Sequence, residues 1–121
     1  MSNRGDVYKQ AIEEFGERYQ VDKSLEEMGE LIQALIKYRQ HGTNKGNVSE
    51  EMADVEIMLE QLKIIFANAN AVERWKKEKI ERLETRVAGY SGQVTIVNQK
   101  IEYRKKNPYK ELLEEILKWI F

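Results

Sequence analysis

Two acidic clusters carry the chemistry-bearing residues of this chain: Glu26-Glu27-Met28-Gly29-Glu30 and Glu50-Glu51-Met52-Ala53-Asp54. Each holds two carboxylates three residues apart, Glu27/Glu30 and Glu51/Asp54, inside a stretch rich in helix formers. At about 3.6 residues per turn, an i, i+3 pair leaves its helix on one side. The stretch between the clusters contains a loop, so an antiparallel hairpin would set the pairs face to face. Four converging carboxylates repel one another unless a cation sits among them. Carboxylate oxygens suit hard cations, which points to Mg²⁺ or Mn²⁺.

Helical angles separate these carboxylates from ordinary surface charge. At about 100° per residue, Glu51 falls within roughly 40° of both Val55 and Leu62, on the apolar face of its helix, and Asp54 lies about 40° from Met58. An unpartnered charge in such a place is costly. Glu50, Glu56 and Glu60 point outward. On the preceding helix Glu27 is roughly 40° from Leu31, at the rim of the apolar arc, and Glu30, Ala34 and Lys37 continue one stripe. The small Ala34 leaves room beside the carboxylates. Further on, Lys79 lies in angle between Trp75 and Leu83, with Arg82 and Arg86 on its flank. A lysine in an apolar face either snorkels past the core or meets an anion.

The elements that must position these residues are helices. Residues 3–19 predict a first helix, with Val7, Ala11, Ile12 and Phe15 at helical spacing. Asp22 or Ser24 is suited to cap a second, running to about Gln40, with Leu25, Met28, Leu31, Ile32, Leu35 and Ile36 apolar. Residues 41–47 predict a loop from their glycines and asparagines. Ser49 then caps a third helix whose broad apolar face is Met52, Val55, Met58, Leu59, Leu62, Ile65 and Phe66. These limits leave a mismatch. Glu30 lies about 15 Å from the end of its helix, whereas Asp54 is only about 8 Å into the next, so the loop must absorb the offset. A break at residues 67–70 leads to a fourth helix over 71–87, with Val72, Trp75, Ile80, Leu83 and Val87 inward. Residues 94–103 fit either a hairpin turned at Asn98-Gln99 or a helix, and Pro108 opens a last helix over 109–121.

Composition sets the surroundings. With 121 residues the chain has room for a modest core. Charged residues make up 34% and there is a single proline, against an average of about 25% charged. Both favour helices with solvated outer faces. A net charge of −1 gives no global field toward nucleic acid or an anionic membrane. The absence of cysteine removes disulfides, thiolate metal sites and cysteine nucleophiles together. No apolar run reaches the length of about 18 residues that a membrane span needs, and no signal-peptide core opens the chain. These features predict a soluble, cytoplasmic protein that binds neither nucleic acid nor membrane. A di-iron site is disfavoured because no histidine follows a glutamate by three residues.

Glu27-x-x-Glu30 followed after a loop by Glu51-x-x-Asp54 resembles the MazG-like nucleotide pyrophosphohydrolases of the all-α NTP pyrophosphatase superfamily. The framing text is also similar, as is Lys79-x-x-Arg82-Leu83 on the following helix. The resemblance spans residues 5–87 and leaves residues 88–121 unmatched. It implies an all-α fold with a four-helix core over residues 1–87 and a homodimer or homotetramer; residues 88–121 are read from their own pattern as a C-terminal extension ending in a helix. It also implies Mg²⁺-dependent cleavage of nucleoside triphosphates to nucleoside monophosphate and pyrophosphate. Glu27, Glu30, Glu51 and Asp54 would be the metal-binding and catalytic carboxylates, with Glu30 or Glu27 helping to deprotonate water. Lys79 and Arg82, with Lys37, would hold the phosphates. The competing readings are a non-catalytic helical interaction module and, less consistent with the charge, a nucleic-acid-binding helical protein.

Overall fold

The computed structural model describes residues 3–91, 94–97 and 100–103, and Lys118. Its long elements are four α-helices, α1 (Arg4–Phe15), α2 (Glu17–His41), α3 (Lys45–Ile65) and α4 (Ala69–Ser91). This is the all-α class that the sequence predicts. Residues fall into two units, Met1–Val72 and Glu73–Phe121. In the first, α1 packs on both α2 and α3, and α2 and α3 pack along each other.

Asn3 caps α1, its side-chain oxygen accepting from the Asp6 amide at 2.8 Å. Gly16 stops the helix, at φ 91° and ψ 151°, a conformation open essentially to glycine alone. The expectation of one helix through residue 19 is therefore corrected. The chain restarts at Glu17, five residues before the earlier of the two anticipated caps. Ser24 is no cap but a buried mid-helix residue, its hydroxyl donating to the Gln20 carbonyl at 2.7 Å.

The turn between α2 and α3 is shorter than the sequence suggests. Gly42 ends α2 in the left-handed region, its amide donating to the Tyr38 carbonyl at 2.7 Å. Asn44, at φ 86°, follows, and α3 is already formed at Lys45. Ser49 lies within α3 and donates to the Lys45 carbonyl at 3.0 Å. Only Gly42-Thr43-Asn44 joins the helices, and α3 folds back along α2 as a helical hairpin. The Asn44 amide donates to the Ala34 carbonyl at 3.4 Å and ties the turn to α2.

The seam between α2 and α3 is polar for much of its length. Gln20, Ser24, Glu27 and Ala34 are the buried residues of α2, and Met58 and Gln61 those of α3. Leu25 and Leu35, expected in the core, are exposed, as are Met52 and Leu59 of α3 and Phe66 just beyond it. The pattern assigned the right helices, and Met28, Leu31, Ile32 and Ile36 of α2 are half-buried as its apolar stripe, but the most deeply buried line of α2 is Gln20, Ser24, Glu27 and Ala34.

Phe66, Ala67 and Asn68 separate α3 from α4, Ala67 taking φ 50°. Along α4 the expected inward face is corrected: Trp75, Ile80, Leu83 and Val87 are each 54–58% exposed in the single chain. Beyond α4, β1 (Val94–Val97) and β2 (Lys100–Tyr103) pair antiparallel, with Val94 opposite Tyr103 and Ile96 opposite Ile101. This is the hairpin alternative of the sequence reading. The anticipated helix over 109–121 lies outside the described residues apart from helical Lys118.

Candidate metal centre

The early start of α3 narrows the offset between Glu30 and Asp54. Glu30 lies eleven residues before the end of α2 and Asp54 nine residues into α3, about 17 Å and 14 Å of helix respectively. A three-residue turn then brings the pairs level. Glu27, Glu30, Glu51 and Asp54 each offer an oxygen, and these oxygens all lie within 4.8 Å of one another. All four residues predicted to form the site are brought together.

Two features mark the cluster as more than surface acidity. Glu27 is only 9% exposed, and one carboxylate oxygen of Glu27 and one of Glu51 are buried with no hydrogen-bond partner. Repulsion is large at this spacing. At an effective dielectric of about 20, two unit charges about 4.8 Å apart repel by roughly 3.5 kcal/mol. Burial therefore pushes the Glu27 carboxyl above the usual carboxylate range, helped by a hydrogen bond with Glu30 and by the charges of Glu30 and Asp54. Lys23 opposes the shift.

Lys23 is the residue the sequence reading missed. Its ammonium stands 3.4 Å from Glu27 and 3.3 Å from Glu26. Spacing alone could have found it, since a lysine four residues from a glutamate shares its helical face. Its neutralisation of the cluster is partial, because it reaches only one of the four carboxylates.

The donor set fits a hard divalent cation: four carboxylates, no sulfur or imidazole, and two orphaned oxygens. The basic residues expected to hold phosphate are less uniformly placed. Lys37 is exposed on α2, seven residues beyond Glu30 and on the same stripe. Lys79 is exposed rather than buried in an apolar face, its ammonium 6.0 Å from the centre of the Trp75 ring. Arg82 pairs with Glu78 one turn back, and Glu73 pairs with Lys76.

Comparison of the chain with protein-family models, with curated proteins and with solved structures finds no match. No helix among the described residues is long and apolar enough to cross a membrane.

Proposed function

We propose that this protein is a Mg²⁺-dependent nucleoside triphosphate pyrophosphohydrolase, releasing nucleoside monophosphate and pyrophosphate. The observation that carries the reading is the convergence of Glu27, Glu30, Glu51 and Asp54 with two buried, unpartnered oxygens. The MazG-like resemblance of the same four residues supplies the reaction class. When bound, Mg²⁺ (or Mn²⁺) would screen the phosphate charge and acidify a water molecule.

The chain's own residues divide the remaining work. The four carboxylates hold the ion, and one not fully engaged, Glu30 or Glu27, accepts the proton of the attacking water. Lys37 lies two turns from Glu30, about 10 Å along α2, a reach comparable to an extended triphosphate. Lys79 and Arg82 serve the phosphates only by leaving Trp75 and Glu78, their partners in the structure.

Association belongs to the same proposal. The exposed Trp75, Ile80, Leu83 and Val87 of α4 and Ile57 of α3 give the single chain more apolar surface than a solvated monomer retains. We read these as contacts of a homodimer or higher homo-oligomer. A non-catalytic interaction module would use the same surfaces but would need no carboxylate cluster.

A panel of nucleoside triphosphates assayed with Mg²⁺, scored for pyrophosphate against phosphate, tests the activity. Pyrophosphate release that stops with a chelator is the expected result. Lys79→Ala should lower kcat/KM by about tenfold or more, the loss of a charge-assisted contact of roughly 1.5–3 kcal/mol. Lys77→Ala is the control, and equal kinetics for the two would remove Lys79 from the site.

A further inference from the structure

The seam that carries the carboxylates also buries a pair of amides. Gln20 and Gln61 are each 5% exposed, and the Gln20 side-chain amide donates to the Gln61 side-chain oxygen across the two helices. The Gln61 amide in turn reaches the Met58 sulfur at 3.8 Å. Gln20 precedes Glu27 by seven residues and Gln61 follows Asp54 by seven. Seven residues are two turns, so both amides lie on the line of the metal-site carboxylates, about 10 Å beyond them.

Such a pair is a poor choice for stability alone. A buried amide gives up its hydration, and its hydrogen bond returns only a modest net gain, whereas two apolar side chains of similar length would fill the seam without that loss. What the pair supplies is selectivity between alignments. If α3 slid or rotated against α2, both amides would be left buried and unsatisfied. A single polar contact in an otherwise apolar helical seam fixes axial register in the same way.

Register matters here because the carboxylates need it. At the turn end, the Asn44 contact with Ala34 fixes the two helices. At the other end no covalent link joins α2 to α3, although α1 packs on both, and the carboxylates lie between. We propose that the Gln20–Gln61 pair is a positioning device. It holds the far half of the α2–α3 seam so that Glu27 and Glu30 remain opposite Glu51 and Asp54 at cation-binding distance. Ser24, 2% exposed and lying between Gln20 and Glu27, lets the helix backbones approach closely enough for the amides to meet.

This inference rests on the metal site proposed above, and its test separates the two. The full chain carrying Gln20→Met and Gln61→Met together, nearly isosteric with the native pair, is compared with wild type. Circular dichroism follows metal-free thermal unfolding, calorimetry follows Mg²⁺ binding, and paramagnetic resonance follows Mn²⁺. The expected result is a metal-free protein at least as stable as wild type, Mg²⁺ affinity lowered about tenfold, and a broadened Mn²⁺ spectrum. Gln61→Met alone should weaken Mg²⁺ binding by a similar factor while lowering metal-free stability, because Gln20 is then left unpaired. Mg²⁺ affinity within twofold of wild type in the double variant would overturn the inference, and so would loss of its helical fold. Absence of Mg²⁺ and Mn²⁺ binding by wild type would overturn the metal site itself.

Discussion

Glu27 is the carboxylate with most to gain from a cation: it is the most buried of the four, has an oxygen with no partner, and is crowded by Glu30 and Asp54. Removing one negative charge should therefore act in opposite directions on stability and on binding. We expect Glu51→Gln and Asp54→Asn each to abolish turnover and weaken Mg²⁺ binding at least 100-fold. Without metal, each should leave the helical content intact and raise stability by about 1–3 kcal/mol through relieved repulsion. Calorimetry and thermal unfolding in chelator measure the two effects. Retained Mg²⁺-dependent activity in both variants would remove these residues from the site.

At the scale of the helices, α2 contains two residues whose size is a test of the packing. Gly29 lies between the paired glutamates, and a Cβ built there would meet nothing within 4 Å. Gly29→Ala should stabilise the single chain by roughly 0.5–1 kcal/mol, the ordinary difference between these residues inside a helix. A matching loss of activity would show that substrate or a second copy needs that space. Ala34 is 1% exposed in the seam. Ala34→Leu should destabilise by about 1–3 kcal/mol and spread α2 from α3, with Mg²⁺ binding lost as a consequence. Urea unfolding with and without Mg²⁺ reads both.

The helices show what the sequence could and could not specify. The i, i+3 carboxylates and the inward angle of Glu51 were legible because they depend only on helical periodicity. Gly16 was hidden because a lone glycine in a periodic stretch reads as tolerated until its backbone angles are known. The start of α3 was hidden because Gly46 and Asn47 have weak helical preferences, and the tertiary return of the chain overrides them. The polar seam escaped because residues were sorted by hydrophobicity. Gln20, Ser24 and Gln61 are buried by pairing with each other or with backbone, which no apolar pattern registers.

For the molecule as a whole, metal and association should dominate stability. Mg²⁺ at 100 times its dissociation constant should add about 2.7 kcal/mol to unfolding free energy, visible as a rise in melting temperature that a chelator reverses. The half-exposed apolar residues of α4 predict association through that helix. Light scattering at micromolar concentration should give at least twice the chain mass. Replacing Leu83 with Lys should shift that mass toward the monomer, and a wild-type monomer with full activity would exclude a role for association.

The three-residue turn at Gly42-Thr43-Asn44 has a kinetic consequence. All four carboxylates lie between residues 27 and 54, so the centre closes through contacts near in sequence, and such hairpins form early in folding. Charge repulsion then opposes the nucleus itself rather than a late docking step. Added Mg²⁺ should accelerate refolding more than it slows unfolding, reversing the usual expectation for a ligand that waits for the native state. The cation would in this way act on how the protein is made as well as on what it does.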